Sequence, residues 1–213
     1  MPKEIIKVLE TLKKYQKKET MLSQFGSRGH FQILISTILS ARTKDITTIP
    51  ICKKLFAKYS SVKDLAKADV SDVRKIIYGI GFYKTKAVRI VEVAKILCDK
   101  YECVVPNNIE ELLELPGVGR KTANCVLVYA FQKPSIPVDT HVHRISNRLG
   151  WVKTKSPEET EKELLMIVPK EYWIDINECF VAHGQTICAP ISPFCSKCLI
   201  YEYCKRISVT THR

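Results

Sequence analysis

Four cysteines in the last quarter of the sequence have the residue type and spacing of a metal centre. They follow the pattern C-x6-C-x2-C-x5-C and are Cys188, Cys195, Cys198 and Cys204. Structural zinc sites usually contain two tight cysteine pairs separated by a longer loop, whereas only Cys195 and Cys198 are that close here. Iron–sulfur clusters accept more varied loop lengths between their four thiolate ligands. The spacing therefore favours a [4Fe-4S] cluster in loop 188–204 over a zinc site or a pair of disulfides.

A lysine and an aspartate in the middle of the chain have the side chains of a nucleophile and its carboxylate partner. Lys121 is predicted in the first turn of the helix that follows Gly117-Val118-Gly119. The helix dipole there disfavours the ammonium form and so favours a nucleophilic amine. Asp139 begins Asp139-Thr140-His141, a sequence typical of a helix N-cap. A surface lysine and a capping aspartate explain these residues equally well at this point.

The chain between these two residues is long enough to bring them together. The predicted helix from Lys121 to Phe131 rises about 15 Å at ~1.5 Å per residue. The extended stretch from Phe131 to Asp139, which contains Pro134 and Pro137, spans up to about 26 Å at ~3.3 Å per residue. The sequence therefore permits the carboxylate to return beside the amine but does not require it.

The charge of the chain indicates a polyanionic partner. Its 213 residues carry a formal net charge of +12, while the hydrophobic fraction of 46% and the charged fraction of 26% are ordinary for a globular protein. The basic residues are spread along the chain, so we expect a basic face on a folded surface rather than a basic tail. This favours nucleic acid over a membrane surface. A solvated surface on a basic protein is the simpler alternative.

The cysteine content and the N-terminal pattern predict an intracellular, cytoplasmic protein. Residues 1–18 read as a charged helix without the central apolar run of a secretory signal, and no apolar stretch reaches the roughly 18 residues that span a bilayer. We expect a monomer with reduced thiols, which favours metal ligation over disulfides. The cysteines outside loop 188–204 are predicted to be small core residues: Cys52, Cys98, Cys103, Cys125 and Cys179.

Helical periodicity runs through nearly the whole chain and predicts an all-α fold. The apolar block Phe31–Leu39 is typical of a central buried helix. The strand candidate Val104-Val105 is short and runs into Pro106. A boundary between two lobes is predicted near Lys133–Pro137, because the prolines there exclude a helix. The predicted helices are 3–18, 31–41, 45–59, 69–78, 82–100, 110–114, 119–131, 139–149, 157–166 and 172–187.

Two glycine hairpins form an internal repeat. Gly79-Ile80-Gly81 (the first hairpin) and Gly117-Val118-Gly119 (the second hairpin) each follow a short apolar helix and precede a longer one. Glycine permits a positive φ and the close approach of another backbone, and the N-terminus of the following helix suits a phosphate group. Tyr83 and Lys121 lie two residues past the second glycine of each copy. Two copies in a basic chain favour contact with a DNA backbone, with an ordinary tight turn as the alternative.

Three motifs together resemble the endonuclease III family, part of the helix–hairpin–helix superfamily of DNA glycosylases. They are Leu115–Asn124 (LPGVGRKTAN), Val138–Val142 (VDTHV) and the four-cysteine run, in the order and at the separations of that family. Ile38–Ala41 and Asn147-Arg148 match as well. The resemblance therefore covers nearly the whole chain.

The resemblance implies a fold and assigns roles to residues. One lobe, a six-helix barrel with the hairpins, would span 23–133, and the second lobe would join 1–22 to 134–213 and carry the [4Fe-4S] cluster on the four cysteines. Lys121 corresponds to the family's catalytic lysine and Asp139 to its catalytic aspartate. The implied DNA-binding residues are Gly117, Val118, Gly119, Arg120, Arg42 and His141.

The implied activity is that of a bifunctional DNA glycosylase and AP lyase acting on double-stranded DNA. A damaged, oxidised or ring-saturated pyrimidine would be flipped out, displaced by the Lys121 amine, and the strand then broken 3′ to the abasic site by β-elimination. The first hairpin carries Tyr83 at this position, so only the second copy has the amine. The alternative is a monofunctional-type mismatch glycosylase for thymine or uracil opposite guanine. A non-catalytic DNA-binding iron–sulfur protein is disfavoured by the motifs around Lys121 and Asp139. An electron carrier is disfavoured by the two hairpins and the net charge of +12.

Two positions depart from the family pattern. Bacterial members usually place glutamine after the Ile38–Ala41 motif, whereas this chain has Arg42. Its longer, charged side chain predicts a changed preference for the opposite base. The loop between the first two cysteines is typically basic in the family, but 189–194 contains no charge. The nearby cations that are candidates to replace that phosphate contact are Lys197, Lys205 and Arg206.

Overall fold

The computed structural model describes residues 2–15 and 29–213 of the chain. Within these residues every regular element is helical, which confirms the predicted all-α fold. None of the described helices combines the length and the apolar character that crossing a membrane requires. The α-helices are α1 (Pro2–Tyr15), α2 (His30–Ser40), α3 (Asp45–Lys58), α4 (Val62–Ala66), α5 (Val70–Ile76), α6 (Tyr83–Lys100), α7 (Ile109–Leu113), α8 (Arg120–Phe131), α9 (Thr140–Leu149), α10 (Pro157–Ile167) and α11 (Trp173–Thr186).

The predicted helices agree with the α-helices of the described residues except at one short element. The sequence pattern does not predict α4, which has five residues. Its start is nevertheless encoded by a capping box: Ser61 Oγ accepts from the Asp64 N–H, and the Asp64 carboxylate accepts from the Ser61 N–H. The predicted extension of the first helix through 16–18 lies outside the described residues.

The chain forms two compact units, Met1–Thr20 with Lys133–Arg213, and Met21–Gln132. In the unit Met21–Gln132, α2 is the core helix, and nearly all of its side chains are buried. It packs against α3, α6 and α8. The predicted central buried helix is therefore confirmed, and it supports the two helices that follow the hairpins.

The other unit has its own apolar core, in which α1 packs against α11 and α9 packs against α10 and α11. Fully buried residues from α1, α9 and α11 meet there, among them Ile5, Leu9, Ile145 and Phe180. Lys13 also forms an ion pair with Asp175 at 2.9 Å. The N-terminal helix and the cysteine loop therefore belong to the same unit. The predicted boundary between 22 and 23 lies outside the described residues.

Two of the cysteines predicted to be core residues are not in the core. Cys52, Cys125 and Cys179 are buried as expected, but Cys98 and Cys103 are half-buried and form a disulfide. After α6 the chain reverses through two residues with positive φ, of which Cys103 is the second. The Cys103 N–H donates to the Leu97 carbonyl at 2.8 Å, which returns Cys103 to the last turn of α6. The expectation of reduced thiols was wrong at this pair.

Candidate functional site

The second hairpin leaves the start of α8 accessible. Gly117 has φ +79° and lies against the Arg89 side chain, whose Cδ would be 3.0 Å from a Cβ at that position. Val118 is buried and anchors the turn. Gly119 is the extended N-cap of α8, and no side chain caps this helix end. A Cβ at Gly119 would meet no atom of the described residues within 4 Å, so another backbone has room to approach there.

Arg120 and Lys121 are the first two residues of α8. Arg120 is exposed, whereas Lys121 is half-buried. The following turns of the helix are buried in the core of the unit Met21–Gln132, which fixes the direction of its first turn. The predicted position of Lys121, in the first turn after the second hairpin, is therefore correct.

Asp139 is the N-cap of α9, as predicted from its neighbours in sequence. Its Oδ1 accepts from the backbone N–H groups of His141 at 2.9 Å and Val142 at 2.8 Å. The extended segment before it is held by α11, since the buried Asn177 donates through Nδ2 to the Pro137 carbonyl at 2.8 Å. The two capping bonds use one carboxylate oxygen, and Oδ2 takes no part in them. Asp139 belongs to the unit that contains the cysteine loop, and Lys121 to the other unit.

The four C-terminal cysteines line one pocket that is partly open to solvent. Two arginines on α9 hold the start of this loop. Arg148, which is buried, donates through Nη1 to Cys188 Sγ at 3.3 Å and to the Ala189 carbonyl at 2.7 Å. Arg144 Nη2 donates to the Cys188 carbonyl at 2.8 Å. The helix capped by Asp139 is therefore also the helix that anchors the cysteine loop.

The four cysteines around this pocket are of the residue type that ligates an iron–sulfur cluster. In the described part of the chain, no group of three or more His, Cys, Asp or Glu side chains converges closely enough to hold one ion. Burial raises the pKa of Cys198 to about 11 and also raises that of Cys204. Positively charged iron would favour the thiolate forms.

The other two candidate DNA-binding side chains differ in their surroundings. Arg42 is exposed on the loop after α2, has φ 56°, and places its guanidinium 5.7 Å from the centre of the exposed Phe82 ring. His141 is half-buried, and its Nδ1 lies 3.1 Å from Arg144 Nη2. The His141 ring also packs on Gly184, where a Cβ would lie 2.3 Å from Nδ1. Arg42 is thus presented outward, and His141 is held against its own unit.

A protein-family model described as "HhH-GPD superfamily base excision DNA repair protein" matches residues 35–170. The chain belongs to this superfamily. Endonuclease III of Thermotoga maritima is 52% identical over 175 residues, which is 82% of each chain. The family resemblance read from the motifs is confirmed by these matches.

Solved structures extend the similarity of this HhH-GPD protein to the whole fold. One is a trapped endonuclease III–DNA covalent intermediate in an estranged-adenine complex, with a TM-score of 0.87 and 36% identity over 97% of this chain and 96% of that one. Another is a thermostable thymine-DNA glycosylase, with a TM-score of 0.84 and 28% identity over 96% of each chain.

Sequence reasoning about this HhH-GPD protein missed Arg213 as a residue that contacts the cysteine loop. Arg213 lies 3.9 Å over the Phe194 ring and donates through Nε to the Ser192 carbonyl at 3.1 Å. Its backbone N–H donates to the Pro193 carbonyl at 2.8 Å. Lys197, one of the predicted substitutes, lies 5.7 Å from the same ring. The uncharged segment 189–194 therefore has two cations beside its Phe194 ring. Lys197 was among the predicted substitutes, whereas no local pattern in the sequence indicates Arg213.

Proposed function

We propose that this HhH-GPD protein is a bifunctional DNA glycosylase and AP lyase that removes oxidised or ring-saturated pyrimidines from double-stranded DNA inside the cell. The observation that carries the proposal is the second hairpin. There an open glycine backbone, suited to a phosphate group, lies two residues before a half-buried lysine. The endonuclease III relative from T. maritima supports the same activity.

In the proposed reaction the Lys121 amine is the nucleophile. Its nitrogen forms a bond to the sugar C1′ as the glycosidic bond breaks and the base leaves with the bonding electrons. Opening of the sugar ring gives a protonated Schiff base. This iminium makes the C2′ proton acidic, and its loss expels the 3′ phosphate by β-elimination. One lysine therefore serves both base release and strand cleavage.

We propose that Asp139 stabilises the positive charge that develops on the sugar and assists the amine. Its geometry supports this role because the two N-cap bonds to Oδ1 hold the carboxylate in one orientation. Oδ2 lies outside those bonds. The cap at the same time orients α9, so a substitution here has both a chemical and a structural consequence.

Phosphate binding in this proposal falls to the second hairpin. The backbone of Gly117, Val118 and Gly119 approaches the strand, with Arg120 beside it and the net charge of +12 adding a long-range attraction. Arg42 would enter the stack where the base has left, and His141 would contact the backbone near Asp139. We also propose that the two units are the barrel lobe and the cluster lobe of a monomeric enzyme.

Cys188, Cys195, Cys198 and Cys204 would hold a [4Fe-4S] cluster. When bound, the cluster supplies a rigid cross-link to the end of the chain and takes no part in bond cleavage. Arg144 and Arg148 hold the start of the loop from α9. We expect Cys198→Ser to lose the brown iron–sulfur absorbance and most of its soluble yield, because metal binding and folding are coupled. A soluble, colourless and active variant would contradict a structural cluster.

Borohydride trapping tests the function. A duplex with one thymine glycol is incubated with the protein and borohydride, and we expect a covalent adduct that Lys121→Gln abolishes while DNA binding stays within about tenfold. The matched control is Lys84→Gln, because Lys84 is exposed in the first turn of α6, after the first hairpin. No adduct on thymine glycol or on a plain abasic site would refute the lyase.

The second candidate is a mismatch glycosylase that removes thymine or uracil opposite guanine. The similarity to a thymine-DNA glycosylase over 96% of each chain and the presence of Arg42 favour keeping it. Base release from a T·G duplex, faster than from thymine glycol and without a borohydride adduct, would select this reading. An adduct with thymine glycol would select the first one.

A further inference from the structure

A buried lysine braces the loop that carries Arg42. Lys86 lies in the first turn of α6 and is only 5% exposed. Its Nζ donates to the Leu39 carbonyl at 2.8 Å and to the Ala41 carbonyl at 2.5 Å. These carbonyls lie at the C-terminal end of α2, where backbone acceptors lack partners within the helix. Lys86 therefore completes the hydrogen bonding that ends α2 immediately before Arg42.

The first hairpin holds the same loop from a second side. The Gly81 N–H donates to Thr43 Oγ1 at 3.0 Å. A Cβ at Gly81 would lie 2.9 Å from the Arg42 carbonyl, so the two backbones are in contact and only glycine fits. The guanidinium of Arg42 lies over Phe82, the residue that follows this hairpin. The loop and the first hairpin thus form one packed assembly, which we name the Arg42 brace (Leu39–Thr43 with Gly81–Lys86).

Packing alone does not explain an amine at position 86. Burial, followed by the charge of Arg89, lowers the pKa of Lys86 to about 8, which reflects the cost of placing a cation there. Among the described residues, the observed ion pairs do not include Lys86. Methionine would fill a similar space without that cost. What methionine lacks is the ability to donate to two carbonyls of the loop.

We propose that Lys86 is a positioning residue for base release: it holds the Arg42 brace so that the Arg42 side chain meets the DNA in one orientation, and it thereby sets the preference for the base opposite the lesion. This inference rests on the proposed function, since Arg42 has a role only where DNA is bound. Lys86 does not touch the substrate and acts through the loop carbonyls.

The test is a double-mutant cycle of Lys86→Met and Arg42→Ala in the cluster-loaded full chain, with single-turnover release of thymine glycol opposite each of the four bases. We expect Lys86→Met to lower the rate of thymine glycol release about tenfold opposite the preferred base. The release rates opposite the four bases should then differ by no more than about twofold. In the Arg42→Ala background, Lys86→Met should lower the release rate by less than about twofold, because the side chain that Lys86 positions is absent. An equal loss in both backgrounds would overturn the inference.

Two further variants keep the test decisive. Lys84→Met is the matched control, since Lys84 is an exposed lysine on the same turn of α6, and we expect it to behave as the parent protein. If Lys86→Met does not fold, Thr43→Val removes the acceptor for the Gly81 N–H instead. We expect Thr43→Val to lower the rate of thymine glycol release about threefold and to reduce the differences in rate between opposite bases in the same way. An unchanged opposite-base preference in Thr43→Val would count against the brace.

Trapping on a plain abasic site separates this inference from the proposed function. No base has to be extruded from such a duplex, so Lys86→Met should form the borohydride adduct within about twofold of the parent protein. Failure of the parent protein to form the adduct would refute the proposed function. If the parent protein forms the adduct normally but Lys86→Met has the same effect on base release with and without Arg42, only the proposed role of Lys86 is refuted.

Discussion

The two hairpins have the same local design but differ in what faces their second glycine. In both copies the first glycine has a positive φ, +99° at Gly79 and +79° at Gly117. The middle residue is buried in each, and neither following helix has a side-chain N-cap. In the first hairpin Gly81 is pressed against the Arg42 carbonyl, whereas in the second Gly119 faces open space in the described structure.

This difference shows that one supersecondary element serves two purposes in the same unit. The first hairpin uses its glycine to pack on the chain's own backbone, and its Tyr83 is in edge contact with Tyr78 at 5.3 Å between ring centres. The second hairpin keeps its glycine accessible and carries Lys121 at the corresponding position. The copy that braces a loop is closed, and the copy proposed to meet DNA is open.

The largest effect is expected when the lysine is moved from the open to the closed copy. In Tyr83→Lys combined with Lys121→Gln, borohydride trapping should be at least about a thousandfold lower than in the parent protein, because Gly81 of the first hairpin is pressed against the Arg42 carbonyl. The measurement is adduct yield on an abasic duplex. Restored trapping would show that the two hairpins are interchangeable.

An added methyl group at the open glycine should weaken DNA binding without affecting the fold. Gly119→Ala should lose about tenfold in affinity, as a methyl group displaces a phosphate from the backbone N–H groups. Its unfolding free energy should change by less than about 0.5 kcal/mol. Gly29→Ala is the matched control, because Gly29 is also an extended helix N-cap with no atom within 4 Å in the described structure. Equal affinities for both variants would contradict an open phosphate site.

The same substitution in the closed hairpin should have the opposite consequence. Gly81→Ala brings a methyl group within 2.9 Å of the Arg42 carbonyl, and backbone atoms cannot move aside as a flexible side chain can. We expect a loss of about 1–3 kcal/mol in unfolding free energy, measured by denaturant titration. A variant as stable as the parent protein would show that the loop is not braced there.

A smaller effect should appear in the pH dependence of stability. The lowered pKa of Lys86, about 8 against an ordinary 10.5, means that the folded chain releases a proton that the unfolded chain still binds. The free energy of unfolding should therefore increase as the pH rises from about 8 to 10.5. Below about pH 8, Lys86 is protonated in both states and should add no pH dependence. Comparing the parent protein with Lys86→Met isolates this contribution. Identical slopes would mean that Lys86 is not desolvated.

Much of the site could be predicted from the sequence because the patterns that mark its residues lie among near neighbours in the chain. Asp139 is recognisable as an N-cap from the residues beside it, and Lys121 from its place after a glycine hairpin. The cysteine pattern favoured a cluster over zinc on spacing alone. By contrast, α4 was not predicted, and Cys98 was read as a core residue because its pairing depends on a chain reversal at Cys103. The signal for α4 lay in its capping box instead.

The sequence by itself determined the all-α fold, the two hairpins and the candidate residues, because helical period, glycine pairs and cysteine spacing are set by neighbours along the chain. Only the tertiary structure decided that one hairpin is closed and the other open, that Lys86 ends α2, and that Arg213 covers an uncharged loop. These contacts join residues that are far apart in sequence. Their partners are chosen by how the helices pack, which no local pattern records.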